Sequence, residues 1–273
     1  MDARTSPTQR IDRVLADLVQ PSDYVSWQYF SRQRLLATGI VASGVGPPAR
    51  ILDIGCGFGS LSLTLSEGAG LDVVAMDVLE ERVSSVRTKT AARDHAAAAR
   101  IRIVRADAQA LPFRDGVFDA VAATEVLEHL DEPERMLRET RRVLRPGGRF
   151  FLTTPNAKAL PYRILRFLPN AAVHTLAAVL TRPGLHPELR HEPGPAGGGS
   201  HPDQHRREGF TLREVESLAS HAGLRMRVAY TYRIPLPDRV MEMTPQRVAR
   251  PLAGFGTHPL PFGLQIYAEF TKP

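Results

Sequence analysis

The stretch ILDIGCGFG at residues 51–59 constrains the fold of this 273-residue chain more than any other feature. A short apolar run leads directly into Gly55, Gly57 and Gly59, and a helical pattern follows. Glycines at such a junction permit positive φ and let backbone amides approach a ligand closely. A strand, a glycine loop and a helix in this order are typical of α/β proteins that bind ligands at the carboxyl ends of their strands.

Further short apolar runs repeat the strand pattern, and helical stretches separate them. These runs are LDVVAMD, IRIVRAD, FDAVAAT and GRFFLTT. Apolar strands that alternate with helices predict a parallel sheet covered by helices on both faces. The sequence RPGG at 145–148 predicts a turn between a helix over 133–144 and the strand that follows it. A helix over 211–222, a strand over 224–231 and a last strand at LQIYAEFTK complete the predicted elements.

The chain is predicted to be a single α/β domain with two additions. Residues 1–47 contain helical patterns over 8–20 and 23–42, and we expect them to belong to the same domain and to cover its active site. Residues 48–273 form the main part. Within it, residues 157–207 read as an insertion, rich in Pro and Gly over 183–203, that is well placed to act as a lid.

Composition favours a cytoplasmic protein. Cys56 is the one cysteine, which excludes an internal disulfide and fits a reducing compartment. The amino terminus has no apolar signal region, and no apolar run approaches the ~20 residues that span a membrane. The net charge of +6 lies entirely in residues 158–273. The basic residues there are scattered, so a solvated surface is favoured over a nucleic-acid-binding one.

Acidic residues end the first three predicted strands and indicate the ligand. Asp53 ends the first, Asp77 the second and Asp107 the third. The G-x-G-x-G spacing differs from the G-x-G-x-x-G fingerprint for pyrophosphate. Asp77 is placed to accept hydrogen bonds from ribose hydroxyls. The ligand should therefore contain a ribose, an adenine and a cationic amino group but no pyrophosphate, which matches S-adenosylmethionine.

We expect the cofactor site to draw on the loops after four strands. Glycine amides face the methionyl part, Asp53 helps to hold its cationic end, and Cys56 is a small loop residue with no base beside it. The predicted cofactor-binding residues are Asp53, Gly55, Cys56, Gly57, Gly59, Asp77, Val78, Asp107, Ala108, Gln109 and Thr124.

Residues 48–156 resemble the class I S-adenosylmethionine-dependent methyltransferases. The resemblance runs through ILDIGCGFG, VVAMD, RADAQALPF, FDAVAATEVLEHL and RVLRPGGRFFLTTPN. It implies a Rossmann-like, mostly parallel seven-stranded sheet in the order 3-2-1-4-5-7-6, with helices on both faces. It also implies that the fourth strand ends beside the transferable methyl group.

The stretch TEVLEHL at 124–130 begins at that strand end. If residues 125–129 form a helical turn, Glu125, Glu128 and His129 share one face. The acids could simply suit a positive helix N-terminus, or His129 could act alone as a general base. The favoured reading is a divalent metal site for Mg²⁺ or Mn²⁺, because carboxylates and an imidazole are suitable ligands.

A narrower resemblance supports the metal reading. E-x-x-E-H at this position resembles the metal motif of the ubiquinone-biosynthesis O-methyltransferases and of the small-RNA 3′-terminal 2′-O-methyltransferases. In the RNA enzymes a later histidine completes the site, which here implies His205 as the fourth ligand and His201 as the second choice. His129 and His205 are therefore the expected catalytic residues.

The sequence predicts metal-assisted O-methylation of a small metabolite, such as a quinol, polyphenol, sugar or other natural product of secondary metabolism. A bound cation would lower the pKa of the acceptor hydroxyl. The alternatives are 2′-O-methylation of an RNA 3′ end, N- or C-methylation without a metal, and a regulator that binds S-adenosylmethionine without turnover. Nucleic acid is not the expected partner, and a homodimer is an open alternative.

Overall fold

The computed structural model of the chain describes residues 5–21, 24–93, 95–159, 206–234 and 246–273. The strands are β1 (Arg50–Ile54), β2 (Asp72–Asp77), β3 (Ile101–Arg105), β4 (Phe118–Thr124), β5 (Leu144–Pro155), β6 (Arg225–Tyr232) and β7 (Gln265–Thr271). They form a seven-stranded sheet in the order β3-β2-β1-β4-β5-β7-β6, which confirms the predicted fold. Strands β1 to β5 pair in parallel, and β7 runs antiparallel to both β5 and β6.

Helices cover the sheet. They are α1 (Pro7–Val19), α2 (Tyr24–Ala42), α3 (Ser60–Leu63), α4 (Glu80–Ala91), α5 (His95–Ala98), α6 (Pro133–Val143), α7 (Leu212–His221) and α8 (Gln246–Phe255). Helix α3 continues as a π-helical turn over Thr64–Gly68. Helix α1 begins one residue before the predicted range, because Ser6 and Gln9 form a capping box and Pro7 takes the first helical position. None of the helices in the described ranges is long and apolar enough to span a membrane.

Two buried clusters lie on opposite faces of the sheet. Side chains of a strand alternate between its faces, so Leu52 and Ile54 of β1 enter one cluster and Ile51 enters the other. Helices α6 and α7 cover the first cluster, and helices α1, α2 and α3 cover the second. Asp53 therefore points to the same side as Ile51, towards α3.

The predicted turn at RPGG is wrong. Strand β5 already begins at Leu144, which pairs with Phe118. The register then shifts, and regular pairing resumes between Ala120 and Arg149. Within the irregular stretch the Gly147 amide donates to the carbonyl of Lys272 at 2.8 Å. Lys272, which directly follows β7 in the same polypeptide, thus accepts a hydrogen bond that a free turn would leave to water.

The predicted insertion largely falls outside the described residues, since residues 160–205 are not among them. Its two ends meet. Phe210 donates its amide to the carbonyl of Pro155 at 2.9 Å, and the Ala157 amide donates to the carbonyl of Phe210 at 3.0 Å. The chain therefore leaves and re-enters the domain at the carboxyl end of β5. The lid role stays a prediction.

Gly59 and Gly44 offer a matched pair of substitutions. Both have left-handed φ, +82° and +89°, but a Cβ at Gly59 would lie 2.9 Å from buried Val86, whereas nothing lies within 4 Å of one at Gly44. Each Ala variant should lose about 1–2 kcal/mol of unfolding free energy from left-handed strain. Gly59→Ala should lose about 1–3 kcal/mol more from overpacking. Urea unfolding measures both, and equal losses would contradict the packing role of Gly59.

Candidate active site

A cavity of about 620 Å³ opens at the carboxyl ends of β1, β2, β3 and β4. Parallel pairing brings these strand ends to one edge of the sheet, so the loops that follow them surround a common space. The predicted cofactor-binding residues that line the cavity are Asp53, Gly55, Cys56, Gly57, Asp77, Val78, Asp107, Ala108, Gln109 and Thr124.

Gly59 does not line this cavity. It precedes α3 as the residue that caps its amino end, and its amide donates to the carbonyl of Cys56 at 2.9 Å. Its bare Cα lies against Val86 of α4. The third glycine of the loop therefore serves close packing between helices, and the first two form the cavity wall.

Asp77 ties the glycine loop to the end of β2. Its carboxylate accepts hydrogen bonds from the Gly57 amide at 2.9 Å and from the Leu79 amide at 3.0 Å. Asp77 is buried at 7% exposure. A carboxylate oxygen accepts more than one hydrogen bond, so these contacts orient Asp77 and leave it capacity for a ligand hydroxyl.

Asp53 lies deeper, at 1% exposure, and accepts a 2.5 Å hydrogen bond from the Ser62 hydroxyl of α3. Burial raises the pKa of Asp53 to about 7, and the neighbouring charge of Asp77 also raises it, against the stabilising bond from Ser62. Asp53 therefore changes charge close to neutral pH. A cationic group bound near it would favour the ionised form.

The loop after β3 is fixed by its own polar groups. Asp107 accepts a hydrogen bond from the Gln109 amide at 2.8 Å. The side-chain oxygen of Gln109 accepts one from the Glu132 amide at 2.9 Å. These contacts hold Asp107 and Gln109 at the cavity wall in a defined orientation.

The predicted helical turn over 125–129 is wrong. Glu125 has φ of +54°, and only Leu127–His129 form a short 3₁₀ turn. The Glu125 amide still donates to Thr153 of β5 at 3.0 Å, so the sheet pairing extends to this residue and the backbone reverses there. Glu125, Glu128 and His129 therefore do not share the face that α-helical spacing would give them.

Glu125 is held by residues distant in sequence. One oxygen, Oε2, lies 3.3 Å from Nη1 of Arg32 on α2, and the same atom accepts a hydrogen bond from Gln265 at 3.1 Å. The Arg32 guanidinium also lies over the ring of Tyr29, 5.5 Å from its centroid. Burial opposes the charge of Arg32, but Glu125 and its neighbours leave the Arg32 pKa raised.

Glu128 does not line the cavity and is fully buried. Its side chain accepts a 3.0 Å hydrogen bond from Thr154, and its carbonyl accepts from the amides of Arg206 and Arg207 at 2.8 and 3.2 Å. Burial, and then the proximity of Glu125, raise the pKa of Glu128. Glu128 thus anchors the chain where it returns from the insertion.

The described residues do not fit the predicted divalent metal. Within the described ranges, no three His, Cys, Asp or Glu side chains are grouped closely enough to hold an ion. Glu125 is committed to Arg32 and Gln265, and Glu128 lies behind the cavity wall. His205, the predicted fourth ligand and catalytic residue, and His201 lie outside the described residues.

His129 does line the cavity. Asp131 and Arg206 also line it, and Arg206 Nε lies 3.3 Å from the Asp131 carboxylate. The cavity lining therefore includes an imidazole and an ion pair in addition to the predicted cofactor-binding residues.

Sequence reasoning missed the contribution of α2, which places Tyr29, Arg32 and Gln33 in the cavity wall. Arg32 and Gln33 belong to the polar run SRQR at residues 31–34, and that run was the available signal. Reasoning also missed Arg82, which lines the cavity and lies 5.0 Å from the centroid of the Phe58 ring. No local pattern connects these positions to the glycine loop.

Comparison with known families places this cavity in context. Residues 52–152 match the family model described as a methyltransferase domain. These residues are similar to a methyltransferase domain. The matched segment runs from β1 into β5 and contains the glycine loop, Asp77, Asp107 and Glu125. It leaves out α2, which supplies Arg32, and β7, which supplies Gln265.

Curated relatives that match part of the chain are named as methyltransferases. The chain is 43% identical over 103 residues to demethylmenaquinone methyltransferase of Thermus thermophilus, covering 37% of this chain and 45% of the relative. It is 34% identical over 127 residues to sarcosine/dimethylglycine N-methyltransferase of Halorhodospira halochloris, covering 46% and 44%. It is 33% identical over 137 residues to ubiquinone biosynthesis O-methyltransferase of Xanthomonas oryzae pv. oryzae, covering 46% and 54%. The chain thus spans about half the length of these relatives.

Solved structures share the fold over more of the chain. A S-adenosylmethionine-dependent methyltransferase from Thermotoga maritima superposes with a TM-score of 0.54 at 16% identity, covering 97% of this chain and 99% of that one. At this identity the likeness shows the fold alone. The shared fold includes helices and strands outside residues 52–152.

The raised pKa of Asp53 predicts a pH dependence of stability. The folded pKa of about 7 exceeds the ordinary value of 3.8, so the folded chain holds an extra proton between these pH values. Stability should fall as pH rises through that interval, by at most about 1.4 kcal/mol per pH unit, and level off above pH 7.

Urea unfolding at several pH values measures this contribution. Asp53→Asn has no titrating carboxyl at this position. The stability of the wild type relative to this variant should therefore fall as pH rises from 3.8 to about 7. Asp72→Asn, at the opposite end of β2, is the control and should retain the wild-type dependence. Parallel curves for wild type and Asp53→Asn would show that Asp53 does not titrate as stated.

Proposed function

We propose that the protein is a S-adenosylmethionine-dependent methyltransferase that methylates a hydroxyl group of a small molecule. The observation that carries this proposal is the shared cavity of the glycine loop, Asp77 and the Asp107–Gln109 pair. Their order along the strand ends matches the order of amino acid, ribose and adenine in the cofactor. The match of residues 52–152 to a methyltransferase domain supports the same assignment.

Each part of the cofactor finds a suitable group in this proposal. The open backbone at Gly55 and Gly57 admits the methionyl part, and Asp53 in its ionised form balances the ammonium. Asp77 accepts hydrogen bonds from the ribose hydroxyls. Asp107, Ala108 and Gln109 meet the adenine.

Methyl transfer is an in-line displacement at the methyl carbon. A lone pair of the acceptor oxygen forms the new C–O bond while the C–S bond breaks, and S-adenosylhomocysteine leaves as a neutral sulfide. The hydroxyl proton must go to a base. His129 is the candidate that lines the cavity at the end of β4, and it takes this proton in our proposal. No step is assigned to a metal, because the described residues do not fit one.

The relatives support methyl transfer but name different acceptors. One is a ubiquinone biosynthesis O-methyltransferase, and another is a sarcosine/dimethylglycine N-methyltransferase. A hydroxyl acceptor is favoured here because a base lies in the cavity wall to remove its proton. A nitrogen acceptor is the second candidate, and product analysis by mass spectrometry with hydroxyl and amine acceptors separates the two.

The cofactor assignment predicts that Asp77→Ala weakens S-adenosylmethionine binding by about 1–3 kcal/mol, since the ribose hydroxyls lose a charged acceptor. Isothermal titration calorimetry measures the change. Asp72→Ala removes a carboxylate from the start of the same strand and should bind the cofactor normally. Unchanged affinity in Asp77→Ala would remove Asp77 from the site.

The base assignment predicts that His129→Ala lowers kcat by about 10²–10⁴-fold, while the affinity for S-adenosylhomocysteine stays nearly constant. His221→Ala, on the exposed surface of α7, is the control. Activity should persist after exhaustive treatment with EDTA. Loss of activity on chelation and its recovery with Mg²⁺ or Mn²⁺ would instead support the metal reading drawn from the sequence.

A further inference from the structure

Arg32 and Glu125 form a pair in the cavity wall that the cofactor does not require. Arg32 comes from α2 and Glu125 from the end of β4, and their side chains approach to 3.3 Å. Both residues line the cavity, with side chains 22% and 20% exposed. The pair is therefore open to a molecule bound at this end of the cavity, beyond the glycine loop and Asp77.

The backbone at Glu125 is strained. A φ of +54° is in the left-handed region, which costs little for glycine but is unfavourable for glutamate. Such strain is retained where surrounding contacts impose it, and it is concentrated at functional sites. Here the Thr153 carbonyl holds the Glu125 amide, and Arg32 and Gln265 hold its carboxylate. These contacts fix both the strained backbone and the carboxylate of Glu125, so we look for a function in the carboxylate that they hold in place.

The polar network around the pair is incomplete. Among the buried atoms of cavity-lining residues, Arg32 Nε, Gln33 Oε1, Thr124 Oγ1 and Glu125 Oε1 lack a hydrogen-bond partner within the described residues. Buried polar atoms are seldom left unpaired, so a ligand or water at Arg32 and Glu125 would complete the network.

We propose, on the basis of the proposed function, that Arg32 and Glu125 are the positioning residues for the methyl acceptor. Glu125 accepts a hydrogen bond from the hydroxyl next to the one that is methylated, and Arg32 donates one to the oxygen that receives the methyl group, whose own proton goes to His129. The opposite charges of the pair cancel, so it favours an uncharged acceptor that carries a donor beside an acceptor group. Helix α2 thereby becomes part of the acceptor site.

The test uses the full chain loaded with S-adenosylhomocysteine, with catechol and phenol as probes, because only catechol has an oxygen next to its hydroxyl. Calorimetry should show catechol binding at least tenfold more tightly than phenol. Arg32→Gln and Glu125→Gln should each weaken catechol binding at least tenfold and leave S-adenosylhomocysteine affinity within twofold of wild type. Arg32→Lys keeps the positive charge and should therefore weaken catechol binding less than Arg32→Gln does.

Two controls separate recognition from folding. Arg34→Gln alters another arginine of α2, one that pairs with Asp12 and does not line the cavity, and it should bind catechol normally. Glu125→Gly relieves the backbone strain but leaves the Arg32 guanidinium without its carboxylate, so it is used only if it folds and binds S-adenosylhomocysteine normally, and it should then lose catechol binding. Equal catechol affinity in wild type and the Arg32 and Glu125 variants would overturn the inference, as would absence of catechol binding to the loaded wild type. Failure of the wild type to bind S-adenosylhomocysteine would overturn the proposed function instead.

Discussion

Parallel pairing of β1 with β2 on one side and β4 on the other is the constraint on which the site depends. Asp53 lies in register with Ala75 and with Ala122, so all three strands end at one level. The loops that follow must then meet at the same edge of the sheet. The contact between the Gly57 amide and Asp77 is the direct result, because it joins the loop after β1 to the end of β2.

Electrostatics divide the cavity into two ends. At the cofactor end, Asp53 and Asp77 have their hydrogen bonds supplied by Ser62 and by backbone amides. At the other end, Glu125 needs the guanidinium of Arg32, and Glu128 is buried with a raised pKa. Burying a carboxylate is costly unless a partner or a proton compensates it. Arg32 is the partner that compensates Glu125, whereas the raised pKa of Glu128 favours a proton on its carboxyl.

The residues proposed to bind the cofactor and those proposed to hold the acceptor come from different parts of the chain. Residues 52–152 hold the groups proposed to bind the cofactor. Arg32, Arg206 and Gln265 lie outside that segment and supply partners for Glu125 and Asp131 around the remaining wall. Under the proposal above, substitutions in α2 or at Gln265 change acceptor specificity and leave the cofactor end unaltered.

The sequence by itself determined the strands, the glycine loop and the acidic strand ends, because alternation of apolar runs and helices is a local signal, and resemblance supplied the sheet order. Only the tertiary structure decided the role of TEVLEHL. Local spacing predicted a helical turn with three metal ligands, but pairing of Glu125 with Thr153 extends the sheet, and Arg32 and Gln265 take up its carboxylate. Arg32 and Gln265 lie near opposite ends of the chain, so only folding brings them next to Glu125, where they compensate its charge.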